Sequence, residues 1–151
     1  MDMQKFTVLR KAGKTEMNKK RVDEYIPRAY RALSDTGIAD NGTIDASYKG
    51  QIASFGAMIA TGSVLSAIAL FSARGKTNTD RTKLMKAIYA VIHGLTGEIA
   101  DNALFNYVQA EKNRGKIRFA KEEVTDAAIA LKLAMNLYKP IEKERDGTAN
   151  T

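Results

Sequence analysis

The stretch Tyr48 to Lys76, YKGQIASFGAMIATGSVLSAIALFSARGK, holds no charged residue from Gly50 to Ala73, in a chain that is 27% charged. Basic residues flank it, Lys49 before and Arg74 and Lys76 after. Such a segment must be hidden from water, in a membrane, in a domain core or against partner subunits. A membrane span needs about 20 predominantly apolar residues. Here Gln51, Ser54, Thr61, Ser63 and Ser66 dilute the stretch, Gly56 and Gly62 interrupt it, and no Trp belt marks an interface. Two helices in a domain core explain it better. They break at Thr61-Gly62-Ser63, because Gly weakens a helix and Ser caps the next one. Small residues at Gly56 and Ala60 let neighbours approach closely, and part of the stretch also suits a subunit interface.

Outward from this segment the dominant period is helical. Val22, Ile26, Ala29 and Leu33 form one apolar stripe, predicting a helix from about Met17 to Thr36, bordered by Tyr25 and Tyr30. Pro27 starts or kinks it and Gly37 stops it. Asp40-Asn41-Gly42 is a turn signal, and Thr43 or Asp45 caps the helix that carries Ile52, Phe55 and Ile59. A second buried helix runs from Val64 to about Ala73 and ends at Gly75. Leu84, Ile88, Val91 and Leu95 predict a helix from Arg81 that closes at Gly94 or Gly97. Leu104, Tyr107 and Val108 predict another from about Ile99 to Asn113. Val124, Ala128, Leu131, Met135 and Tyr138 mark the last. Glu122 and Glu123 in its first turn, with Lys139 and Lys143 near its end, suit the macrodipole, and Pro140 frays it. No strand-like alternation of useful length appears. The expected fold is all-α, a single-domain bundle of about six helices over residues 1–151. Residues 1–15 read as a flexible arm and 146–151 as a disordered tail.

Composition narrows the chemistry. The chain has 151 residues, no Cys, one His and a net charge of +7. There is no disulfide or thiolate chemistry. A single His excludes a multi-histidine zinc site. A cytoplasmic setting fits, and the N-terminus does not read as a secretory signal. The excess of positive charge favours polyanionic partners, nucleic acid above all. Residues 76–120 alone carry eight basic against four acidic residues.

The basic run Lys112, Arg114, Lys116, Arg118, Lys121 is the densest candidate for phosphate contact. Asn113 and Gly115 make it loop-like, and Phe119 adds a ring that stacks or anchors. Solvated loop charges are the plainer alternative. Lys19, Lys20 and Arg21 form a second cluster. Arg28 and Arg31 sit at helical spacing from Glu24 and Asp35, which favours intrahelical ion pairs. Lys132, Asn136, Lys139 and Lys143 make a polar stripe on the last helix, either a track for a nucleic-acid backbone or a solvated face. Lys49, Arg74 and Lys76 bracket the uncharged segment and converge as an anion site if its helices run antiparallel. His93 shares a face with Lys86 and reads first as structural. Glu98 and Asp101 lack a second acidic pair to complete a metal site. Gly75-Lys76-Thr77 lacks the upstream Gly of a phosphate-binding loop. No catalytic residue, metal or cofactor is expected.

Tyr48-Lys49, Met58-Ile59, Gly62, the helix Ala67-Ile68-Ala69-Leu70-Phe71 and then Ser72-Ala73-Arg74-Gly75-Lys76 resemble, in this order, the small helical subunit of the type III-B (Cmr) CRISPR effector complex. Lys19 to Leu33 resembles that family's first helix and Ala127 to Pro140 its last. The likeness thus covers about Lys19 to Lys143. It departs at Ala60-Thr61, at Ser63-Val64 and in the lack of a Trp in the last helix. The resemblance implies a non-catalytic cytoplasmic subunit. Its expected partners are guide RNA, target RNA and other effector subunits, with self-stacking alongside and no membrane. The RNA-binding candidates are then Lys20, Arg21, Lys49, Arg74, Lys76, Lys112, Arg114, Lys116, Arg118, Lys132 and Lys139. A helical DNA-binding regulator is the alternative, with Thr79 to Leu95 as recognition helix and Lys83, Lys86 and Tyr89 facing out.

Overall fold

The computed structural model describes residues 17–73 and 79–142. Six helices carry them: α1 (Lys19–Asp35), α2 (Ser47–Thr61), α3 (Val64–Phe71), α4 (Arg81–His93), α5 (Ala103–Asn113) and α6 (Ile117–Ala134). A 3-10 turn at Met135–Leu137 extends α6. A small sheet is made of β1 (Ala39–Asp40), β2 (Thr43–Asp45) and β3 (Lys139–Ile141). The fold is an all-α single-domain bundle with this sheet at one edge. The expected arm at 1–15, the tail at 146–151, the Gly75 stop, Arg74, Lys76 and Lys143 lie outside the described residues.

The uncharged stretch divides where the sequence broke it. Gly62 N–H closes α2 on Met58 O, and Ser63 Oγ accepts from Ser66 N–H at 3.0 Å to open α3. Ile52, Phe55 and Ile59 of α2 and Val64, Ala67, Ile68 and Phe71 of α3 are buried. Phe55 and Phe71 meet at 5.2 Å between centroids. The stretch is nonetheless not wholly hidden. Ala53, Ser54, Ala57, Ala60 and Thr61 form an exposed outer face of α2, and Leu70 is 49% exposed. Core burial therefore explains half of the missing charge and leaves the other half on the surface. No helix among the described residues is long and apolar enough to cross a membrane.

α6 is the hub and packs on α1, α2, α4 and α5. Ala120, Ala127, Ala130 and Ala134 on it are fully buried, so neighbouring backbones come close on several sides. It runs parallel to α1. Asn18 N–H reaches Asp126 at the start of α1, and twelve residues on, Tyr138 Oη donates to Tyr30 O at 2.7 Å. Tyr30 and Tyr138 also stack, 4.9 Å apart at 22°.

Three helix ends differ from the sequence reading. α5 starts at Ala103, not near Ile99, behind Asn102 in the left-handed region. α6 starts at Ile117, five residues before Glu122, so no acid stands in its first turn. It gives way to the 3-10 turn after Ala134, so Lys139 lies on β3 and not on a helix. The strands were missed because two or three residues cannot show alternation. Asn41 and Gly42, both at positive φ, make the tight β1–β2 hairpin. β2 and β3 pair in parallel, Thr43 opposite Lys139, across almost a hundred residues. Asp45 Oδ1 takes the Ser47 N–H, but the N-cap residue of α2 is Ala46, which has no side-chain capping bond, so neither Thr43 nor Asp45 occupies the cap expected of it.

Candidate nucleic-acid interface

Of the two basic clusters, about ninety residues apart in the chain, one residue of the first bridges to the second, Arg21 to Phe119. α1 and α6 lie side by side with Asn18 against Asp126, so the first turn of α1 meets the middle of α6 and the Arg21 side chain reaches back to Phe119 near the α6 start. Arg21 is the joint. Its guanidinium donates to Asp126 Oδ2 at 2.8 Å and lies 5.2 Å from the Phe119 ring centroid. Asp126 is 1% exposed and Phe119 is 46% exposed. Burial raises the Asp126 pKa, and the hydrogen bond from Arg21 opposes that shift. Arg21 is therefore a pinned structural cation and not a mobile phosphate ligand.

The run from Lys112 to Lys121 is mostly helical and not the loop the sequence suggested. Lys112 ends α5, Arg114, Gly115 and Lys116 turn the corner, and Arg118 and Lys121 are on α6. Gly115, at φ +76, lets Lys116 N–H reach Glu111 O at 2.7 Å and Gly115 N–H reach Lys112 O at 3.0 Å. That pattern ends α5 and starts α6 with almost no linker. Arg114 pairs loosely with the buried Glu111, at 3.4 Å. Lys20, Lys112, Lys116 and Arg118 are exposed and have no ion-pair partner among the described residues.

Lys116 is the N-cap residue of α6, with no side-chain capping bond, and Arg118 sits in the first turn. The N-terminus of a helix carries partial positive charge, so anions belong there and cations are disfavoured. The local charge pattern runs against the helix and in favour of an anionic ligand. Glu122, read beforehand as a first-turn acid, lies one turn deeper on the rim of a surface hollow with Gly115, Lys116, Arg118 and Phe119.

A second basic patch lies towards the other end of α6. Lys49, half-buried on α2, donates to Asn136 Oδ1 at 2.9 Å, and Lys132 is exposed one turn before Asn136. Arg118 and Lys132 are fourteen residues apart, on nearly the same side of the helix, and separated by about 21 Å of rise. Thr125 and Ile129 fill the stripe between them, so it is cationic at its ends and neutral in its middle. Lys139 is exposed on β3, so the stripe expected to continue along one helix turns off at the sheet. The proposed convergence of Lys49 with Arg74 and Lys76 falls outside the described residues.

The remaining candidates have structural employment. Arg28 does not take up the ion pair expected with Glu24. It donates to Val91 O at 3.0 Å and Ile92 O at 3.3 Å and stands over the Tyr25 ring. It thus caps the C-terminus of α4 across the bundle. His93 packs against Tyr89 and Tyr107, each 4.5 Å away. Burial, then Arg28, lowers its pKa. Tyr107 Oη donates to Glu123 at 2.5 Å, and burial raises the pKa of both. Lys86 pairs with Asp101 at 3.0 Å. No group of three His, Asp or Glu among the described residues is arranged to hold a metal. α4 packs on α1, α3, α5 and α6, and no residue from Arg81 to Ile92 is fully exposed. Lys83, Lys86 and Tyr89, expected to face out, are only partly exposed.

Sequence reasoning missed Asp126. Its signal is an acid on the face that also carries Ala127, Ala130 and Ala134, a place where a carboxylate needs a partner. Searches against protein-family models, curated proteins and solved structures give no match for this chain.

Proposed function

We propose that this chain is a non-catalytic, RNA-contacting structural subunit of an RNA-guided ribonucleoprotein of the type III-B (Cmr) kind. It lies along guide and target RNA, packs against neighbouring subunits and leaves cleavage to them. One observation carries the reading: Lys112, Lys116 and Arg118, exposed and without an ion-pair partner among the described residues, stand where α5 turns into the positive end of the 18-residue α6, and Arg21 of α1 reaches the adjoining Phe119. The uncharged outer face of α2 supports it further, since a surface without charge suits contact with another subunit. The DNA-regulator reading has less support, because Lys83, Lys86 and Tyr89 of its recognition helix are only partly exposed.

The test is the salt dependence of binding to single-stranded RNA by the purified chain. Contact through about four phosphates gives a log–log slope of about −3, and neutralising Lys116 and Arg118 together brings it to about half that. Affinity that does not respond to salt would remove the basis for this reading.

A further inference from the structure

Phe119 is an aromatic ring in the middle of the basic face, and its surroundings are specific. It lines an open hollow of about 540 Å³ with Gly115, Lys116, Arg118 and Glu122. Arg21 stands over the ring and is tied down by buried Asp126, so the ring is held from one side by a fixed cation. Its exposed remainder borders the hollow. Gly115 has no side chain to crowd the floor, and a Cβ there would meet nothing within 4 Å.

The lining matches a nucleotide part by part. Lys116 and Arg118 suit the phosphates. Phe119 offers a flat apolar surface to a base. Glu122 repels phosphate but accepts from the N–H edge that a base presents. A duplex keeps its base faces stacked on one another, whereas an unpaired strand presents them to aromatic side chains. An apolar knob of a protein partner would leave both cations at the rim unmatched.

We propose that Phe119 is a stacking platform for one unpaired base of single-stranded RNA, with Lys116 and Arg118 on the adjoining phosphates. The proposal rests on the RNA-contact reading above. It adds two things that phosphate contact alone does not require, a base face and an unpaired strand.

The experiment uses the full chain and a 12-nucleotide RNA carrying 2-aminopurine, single-stranded or annealed to its complement. The wild type is expected to bind the single strand more tightly than the duplex and to quench the fluorescent base. Phe119→Leu keeps apolar bulk but loses the aromatic face. It is expected to weaken binding by about five- to a hundredfold, to abolish the quench and to leave the salt slope unchanged. Phe119→Tyr is expected to restore both affinity and quench. If Phe119→Leu binds and quenches like the wild type while Lys116→Gln/Arg118→Gln lowers the slope, stacking is overturned and RNA contact stands. Equal affinity for duplex and single strand also overturns stacking alone. If the wild type binds neither form, both readings fall.

Discussion

Arg21 and Asp126 form the ion pair that joins the start of α1 to the middle of α6, 2.8 Å apart and 105 residues apart in sequence. The same carboxylate takes the Asn18 N–H at 3.3 Å, so one buried side chain serves two donors. Removing it with Asp126→Ala strands a cation that is only 18% exposed. The expected loss is about 3 kcal/mol, read as a lower urea midpoint. Asp126→Asn keeps an acceptor for only one of the two donors and turns its NH2 toward the other, so it is expected to recover only part of that loss.

The cations at the start of α6 set stability against binding. Arg118→Glu places an acid in the first turn and is expected to stabilise the fold by about 0.3–1 kcal/mol. Lys116→Asp adds a side-chain cap worth about 1 kcal/mol. Both substitutions are expected to weaken RNA binding. Thermal melts beside binding isotherms at one salt concentration check the opposition. Destabilisation by either change would mean that these cations already serve the fold.

Two glycines are expected to respond to alanine with opposite signs. Gly94 ends α4 at φ +65, and a Cβ there would stand 3.4 Å from the Arg28 guanidinium carbon. Gly94→Ala is expected to cost about 1–2 kcal/mol, from the left-handed backbone alone. Gly56 lies inside α2 with nothing within 4 Å of a built Cβ. Gly56→Ala is expected to stabilise by about 0.5–1 kcal/mol. Chemical denaturation of the two variants decides both.

His93 predicts an acid-side loss of stability. Its folded pKa lies below the ordinary 6.5, from burial first and Arg28 second, with Glu111 opposing. The unfolded chain therefore binds more protons in the window just below pH 6.5, and stability falls as pH falls through it. Glu123 and Asp126 act oppositely at lower pH. Their folded pKa values are raised, so protonation there favours the folded state. Urea midpoints of wild type and His93→Gln at pH 7.5 and 5.5 isolate the first effect. The wild type is expected to lose more over that interval, and equal losses would show that the ring gains its proton as easily folded as unfolded.

Tyr138→Phe tests the register of α1 against α6. It deletes the Tyr138 Oη bond to Tyr30 O and keeps the ring stack. The expected cost is about 1 kcal/mol. Hydrogen exchange is expected to speed up at Thr43–Asp45 and Lys139–Ile141, since Tyr138 sits just before β3. Unchanged exchange there would place the sheet's anchor elsewhere.

What the residues declared unaided was local. Val22, Ala29 and Leu33, or Ile52, Phe55 and Ile59, announce a helix face because 3.6-residue spacing is written along the chain. Gly62-Ser63 and Asn41-Gly42 announce a break and a turn because their backbone preferences are their own. The candidate cations were legible for the same reason, as charge that has to face outward. Tertiary structure decided everything that depends on who stands opposite. It placed the first turn of α6 at Ile117, because the Gly115 turn closes α5 directly against it, and so set Lys116 and Arg118 on the positive end of a helix. It brought Arg21 to Phe119 and Asp126, Arg28 to the end of α4, and Thr43 beside Lys139. Such pairings arise from the packing of distant segments, and no window along one segment contains both partners.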